Sequence, residues 1–135
     1  MSEKKTILVV EDDPDLQRGL AIRLKANGYR VLVASDALQA TAAVLHQNPD
    51  LAILDLKLPA GSSFDVLRRS MASNRGFLPV IVLTAADPAV AERRALELGA
   101  MAFFQKPADN DDLLACIAWI LEGGNGRTGD LVVAS

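Results

Sequence analysis

The chain has 135 residues, half of them hydrophobic, with one cysteine, one histidine and a net charge of −3. That length suits a single domain with one core; the mild acidity leaves no basic footprint for nucleic acid and no basic amphipathic segment for a membrane surface, and Cys116 and His46 make neither an intrachain disulfide nor a zinc site. The longest apolar run, Leu113–Leu121, is far short of the roughly 20 residues of a membrane span, and acids from Glu11 onward interrupt the stretch after Lys4 and Lys5, so no signal peptide is read and a cytoplasmic protein is expected.

Strand 1 is predicted at Ile7–Val10 and runs directly into Glu11, Asp12, Asp13 and Asp15. Two ionised carboxylates about 4 Å apart repel by roughly 4 kcal/mol at an effective dielectric near 20, so this crowding demands a cause. Pro14 suits the first turn of a helix, and Leu16, Leu20 and Leu24 recur every four residues until Asn27-Gly28 ends it. Strand 2 is Val31–Ala34. Asp36 is placed to cap a second helix that stops before Asn48-Pro49-Asp50, and strand 3 is Leu51–Leu54. A third helix is predicted from about Phe64 to Ala72, followed by strand 4 at Val80–Thr84. Asp87-Pro88 opens a fourth helix closed by Gly99. Strand 5 is Ala102–Phe104, and Asp109 or Asn110 opens a fifth helix ended by Gly123-Gly124. Residues 123–130 read as a flexible tail, and the apolar Leu131–Ala134 has no assigned place.

The strands are continuous apolar runs rather than alternating ones, as expected of strands buried on both faces of a parallel sheet. Five successive β-α units give an α/β fold with right-handed crossovers and helices on both faces. In such a sheet the site lies just beyond the carboxyl ends of the strands. Glu11 and Asp12 follow strand 1, Asp55 follows strand 3, Thr84 closes strand 4, and Lys106, then Pro107, follow strand 5. Strands 1, 3, 4 and 5 are neighbours in this topology, so these groups converge. Singly, each has an ordinary explanation as a turn acid, a helix cap, a strand end or a solvated lysine. Asp55 fits that explanation worst, because it stands between Ile53-Leu54 and Leu56 with no turn residue beside it.

The stretches ILVVEDDPDL, DLAILDLKLP, PVIVLTA and GAMAFFQKP resemble the response-regulator receiver domain (CheY-like) of two-component signalling systems, in the family's order, over roughly residues 5–122. The resemblance implies a doubly wound, flavodoxin-like sheet of five parallel strands in the order 2-1-3-4-5. It implies that Asp55 is the phosphoacceptor and that Glu11 and Asp12, with Asp55 and the backbone carbonyl of Lys57, hold Mg²⁺. Thr84 would bond the phosphoryl group, Lys106 would pair with it, and Phe103 would be the aromatic switch. The Lys106–Pro107 bond is expected to be cis. The phosphoryl donor would be a sensor histidine kinase, a histidine phosphotransfer protein or a small phosphodonor. Drawing Thr84 toward the phosphoryl group would let Phe103 turn inward and alter the face of helix 4, strand 5 and helix 5. The chain would be a signalling phosphoacceptor and not an enzyme, with a receiver domain at 1–122, a short tail at 123–135 and no output domain.

The chemistry agrees. Mg²⁺ prefers oxygen ligands and commonly takes one or two carboxylates plus phosphate oxygens, and with Lys106 it would neutralise the acids that crowd strand 1. The loop Pro59-Ala60-Gly61-Ser62-Ser63 departs from the family, which usually has glycine at the position of Ser63 and often at that of Ala60. Lys57 can overhang the site or point to solvent. Asp13 lies outside the metal pair. A phosphohydrolase with an aspartyl-phosphate intermediate would want Asp-x-Asp, where this chain has Asp55-Leu56-Lys57. A dinucleotide-binding unit would want a glycine-rich turn after strand 1. A receiver-like module that binds partners without phosphorylation would not need the intact set of acids, threonine and lysine. Helix 5 is apolar at nearly every position from Leu113 to Leu121. A surface helix should keep a polar face, so the face centred on Trp119 is expected to be covered by a second copy, a downstream protein or the tail. The alternative is that its small Ala and Cys side chains leave little exposed.

Overall fold

Each central strand buries both of its faces because its side chains alternate between two separate cores. One core joins Ile7, Val9, Leu51, Ile53, Ile81, Ala102 and Phe104; the other joins Leu8, Val10, Ala52, Leu54, Val80, Val82 and Phe103. The period of two that defines a strand is thus present, hidden because both faces are apolar. In the computed structural model, residues 3–57, 67–71 and 78–123 and the backbone of 132–134 are described. The elements are β1 (Thr6–Val10), α1 (Pro14–Ala26), β2 (Arg30–Ala34), α2 (Ala37–Gln47), β3 (Leu51–Leu54), α3 (described over 67–71), β4 (Val80–Thr84), α4 (Pro88–Glu97), β5 (Ala102–Gln105), α5 (Asn110–Leu121) and β6 (Val132–Ala134).

The sheet order is β2-β1-β3-β4-β5-β6, and every pair is parallel. The expected five-strand order stands, and Val132–Ala134, unplaced from the sequence, adds a sixth strand beside β5. Leu24 of α1 and Leu113, Ile117 and Ile120 of α5 fill the first core; Ala37, Ala40 and Val44 of α2, Leu67 and Met71 of α3, and Ala91 and Ala95 of α4 fill the second. No helix among the described residues is long and apolar enough to cross a membrane.

Helix starts follow the capping residues. Asp13, Asp36, Asp87 and Asp109 each accept backbone N–H bonds at the first turn of α1, α2, α4 and α5, so Asp109, not Asn110, opens α5. Gly28 (φ +92°) and Gly99 (φ +74°) take the left-handed turn after α1 and α4. β1 and β2 begin at Thr6 and Arg30, and β5 ends at Gln105, each one residue beyond its aliphatic run, because ladder pairing is a backbone property. Of the expected third helix, residues 67–71 are helical, while 64–66 and 72 lie outside the described residues, as do the loop 59–63 and the tail from 124 to 131. The apolar run of α5 is accommodated by burying Leu113, Ile117 and Ile120, half-covering Leu114, Cys116, Ala118 and Leu121, and leaving Ala115 and Trp119 exposed.

Ile117 is completely buried. Ile117→Ala is expected to cost about 2–5 kcal/mol through lost burial and the cavity left behind, whereas Ala115→Lys on the exposed side should stay within about 0.5 kcal/mol; urea melts measure both.

Candidate functional site

Register brings the polar residues together. Val10 pairs with Ala34 on one side and Leu54 on the other, Leu54 pairs with Val82, and Thr84 pairs with Gln105. The backbone pairing continues one residue further: the Glu11 amide donates to Ala34 O (2.9 Å), that of Asp55 to Val10 O (3.1 Å) and that of Lys106 to Thr84 O (2.9 Å). Each site residue therefore leaves its strand with its backbone still clamped to the neighbouring one.

Asp55 is the hub. Its Oδ1 accepts from the Thr84 hydroxyl (2.8 Å) and the Lys57 amide (3.0 Å), and its Oδ2 accepts from Lys106 Nζ (3.0 Å). Lys106 Nζ also donates to Glu11 Oε1 (2.6 Å), and Glu11 Oε2 accepts from the Asp13 amide (3.1 Å). Glu11, Asp55 and Thr84 are buried, and Asp12 is exposed at the rim. Burial works against ionising Asp55, but the bonds from Lys57, Thr84 and Lys106 and the lysine's charge outweigh it and hold the carboxyl below the usual aspartate range. Burial likewise opposes a charged Lys106, and Glu11 and Asp55 more than offset it, holding the ammonium above the usual lysine range. An ionised, oriented carboxylate is what a nucleophilic aspartate requires.

Glu11, Asp12 and Asp55 each offer a carboxylate oxygen, and these oxygens lie within 4.8 Å of one another. An all-oxygen donor set of this charge fits a hard divalent cation such as Mg²⁺. Lys57 keeps its side chain exposed while its amide bonds Asp55. The Lys106–Pro107 peptide is cis.

Phe103 is only 3% exposed and packs in the core that contains Leu54, Val82, Ala91 and Ala95. Phe103 is thus buried while the Thr84 hydroxyl is bonded to Asp55. Trp119 is 44% exposed on α5, apart from the cluster.

Asp13 is exposed and caps α1 rather than joining the carboxylate cluster: its Oδ1 accepts from the Asp15 and Leu16 amides. Sequence reasoning missed Gln17, whose Nε2 donates to Glu11 O (2.9 Å) and reaches Ser35 Oγ (3.4 Å), tying α1 to the ends of β1 and β2. A lone glutamine in a helix carries no signal that it faces inward. An apolar groove of about 580 Å³, lined by Leu16, Gly19, Leu20, Leu83, Pro107 and Leu113 among others, opens beside Glu11 and Lys106.

Comparison with known proteins gives a consistent family. The response regulator receiver domain matches residues 7–118. The transcriptional regulatory protein KdpE of Mycobacterium tuberculosis is 40% identical over 111 residues, 81% of this chain and 47% of that protein. The phosphate regulon transcriptional regulatory protein PhoB of Pseudomonas aeruginosa is 33% identical over 126 residues, 93% of this chain and 53% of that protein. The chain thus spans about half the length of these curated relatives. Among solved structures, a CheY-like receiver domain protein from Methanospirillum hungatei superposes with a TM-score of 0.80 at 28% identity, covering 90% of this chain and 97% of that one. The non-phosphorylated HemR receiver domain of Leptospira biflexa gives 0.75 at 36% identity, covering 87% and 94%.

The ion pair has a pH signature. Asp55 lies below the ordinary value of 3.8, so its contribution to stability is complete above that pH and is lost as pH falls through the folded value. Lys106 lies above the ordinary 10.5, so its contribution is complete below that pH and is lost as pH rises through the folded value. In EDTA near neutral pH, Lys106→Met is expected to cost about 3 kcal/mol, because it strands buried carboxylates. The gap to wild type should narrow below pH 3.8 and above pH 10.5; urea melts across that range read it.

Proposed function

Because the chain belongs to the response regulator receiver domain family, we propose that it accepts a phosphoryl group on Asp55 from a phosphohistidine, with Mg²⁺ at the acidic cluster, and relays that event through the face of α4, β5 and α5. It is a receiver of two-component signalling, a phosphoacceptor and not an enzyme, which removes the phosphohydrolase reading. The observation that carries the finer proposal is the convergence on Asp55 of Thr84, Lys106 and the Lys57 amide, with Glu11 and Asp12 alongside.

A carboxylate oxygen of Asp55 attacks phosphorus in line. The new P–O bond forms as the donor's P–N bond breaks, and that electron pair returns to the imidazole. The products are an acyl phosphate on Asp55 and a free histidine. Glu11, Asp12 and Asp55, with the Lys57 carbonyl, would hold Mg²⁺, which supplies positive charge against the phosphoryl oxygens. Lys106 then exchanges a carboxylate for a phosphoryl oxygen, as a charge-assisted bond. The Thr84 hydroxyl turns its bond to the same group. The donor is a sensor histidine kinase or a histidine phosphotransfer protein in the cytoplasm, and the apolar groove beside Lys106 offers it contact surface.

On this reading the receiver unit is 1–122. Phe103 lies beneath α4, where a change at Thr84 is felt through packing, and Trp119 marks the outer side of α5 for a second copy or a downstream protein.

A small phosphodonor with Mg²⁺ is expected to add one phosphoryl group, read by intact mass. Asp55→Asn should abolish it, as should removal of divalent ions; labelling that survives either change would overturn the assignment. Mg²⁺ at a hundredfold excess over its Kd should stabilise the wild type by about 2.7 kcal/mol. Asp12→Ala should erase that gain in thermal melts without destabilising the metal-free chain, since Asp12 is exposed and adds only like charge.

A further inference from the structure

β5 does not end the sheet. Val132–Ala134 lies along its outer edge, parallel to it, with Ala102, Phe103 and Phe104 opposite Val132, Val133 and Ala134. Those β5 residues are at most 3% exposed. A bare edge there would leave backbone N–H and C=O groups beside apolar surface, where unpaired polar groups are costly and invite another strand. The opposite edge, β2, differs, since Arg30 and Val33 are exposed. The cover on β5 is three residues long, and so short a ladder opens well before the rest of the sheet does.

The geometry points to the β5 edge as a binding surface for an extended apolar strand lying parallel to it, filled in cis by residues 132–134 and exchangeable with the same residues of a second copy. The second copy follows from the sequence that fits. Leu131-Val132-Val133-Ala134 is uncharged and rich in the β-branched residues that suit a pleated surface, and an identical segment meets the same register. Ten residues, 122–131, separate α5 from β6. At full extension they reach roughly 34 Å, enough to deliver the strand to an adjacent molecule, which is the geometry of strand exchange. Val133 stands opposite Phe103, so exchange takes place on the strand that also carries the switch position, yet it does not depend on phosphorylation of Asp55.

The test uses the full chain carrying Val132→Pro and Val133→Pro together. Successive strand N–H groups face opposite sides, so one of the two prolines removes a donor that faces β5. Hydrogen exchange at Ala102–Gln105 is expected to speed up tenfold or more in the variant while Ile53 stays protected. A synthetic peptide of residues 129–135 should restore the protection, and a scrambled peptide should not. In sedimentation equilibrium the wild type should show concentration-dependent dimers that the variant loses. Unchanged β5 exchange in the variant, or no response to the peptide, would overturn the strand site. A dimer that persists undiminished in the variant, or a wild type that stays monomeric at millimolar concentration, would overturn the second copy as its occupant.

Discussion

Lys106 lies between Glu11 and Asp55, 2.6 Å from one carboxylate and 3.0 Å from the other, and the carboxyl edge of the sheet depends on it. Two buried acids this close would otherwise repel by several kcal/mol or take up a proton. With the ammonium between them Asp55 stays ionised, and an ionised carboxylate can accept the Thr84 hydroxyl and the Lys57 amide at the same oxygen. The site is thereby organised in advance of any substrate, at the cost of holding one cation against partners that a divalent ion would also claim.

That arrangement is possible because the sheet delivers its strands in the right order. β1 and β3 are adjacent, so Glu11 and Asp55 emerge side by side; β4 lies next to β3 and β5 next to β4, so Thr84 and Lys106 arrive on the far side of Asp55. Two apolar cores, one above and one below, lock the register of every strand, since a slip of one residue would exchange the faces. The precision of the site is inherited from packing many residues away. Gln17 adds a local tie by holding α1 against the ends of β1 and β2.

β5 links this edge to the outer surface. It carries Phe103 in one core and Phe104 in the other, leads into Lys106, and accepts β6 along its free side. On the proposed reading, a displacement at Thr84 would reach Phe103 through close-packed side chains, which shift between discrete arrangements rather than deforming continuously. The strand that would report on Asp55 is therefore also the strand whose edge the chain itself covers.

The order of elements, the parallel sheet and the five converging polar residues were legible in the sequence, because each rests on a local property. Aliphatic runs mark strands buried on both faces, aspartates mark helix starts, and Asp55 stood out as a charge with no turn beside it. Other features were not legible. Whether Asp109 or Asn110 caps α5 depends on which side chain reaches the Asp112 amide. Gln17 looks like any surface glutamine until α1 packs against β1 and β2. The apolar run of α5 suggested a covering partner, yet whether its residues need one depends on their exposure, which small side chains reduce. Phe103 could be named as a switch candidate, but its burial in one core with Ala91 and Ala95 of α4 appears only in the packed fold. Leu131–Ala134 had no place at all, because a strand of three residues has no periodicity to read and acquires its identity only from the unpaired edge of β5. Local chemistry is written residue by residue and can be read so; pairing, burial and the neutralisation of Glu11 and Asp55 by Lys106 belong to residues far apart in the chain, and only the folded structure brings them together.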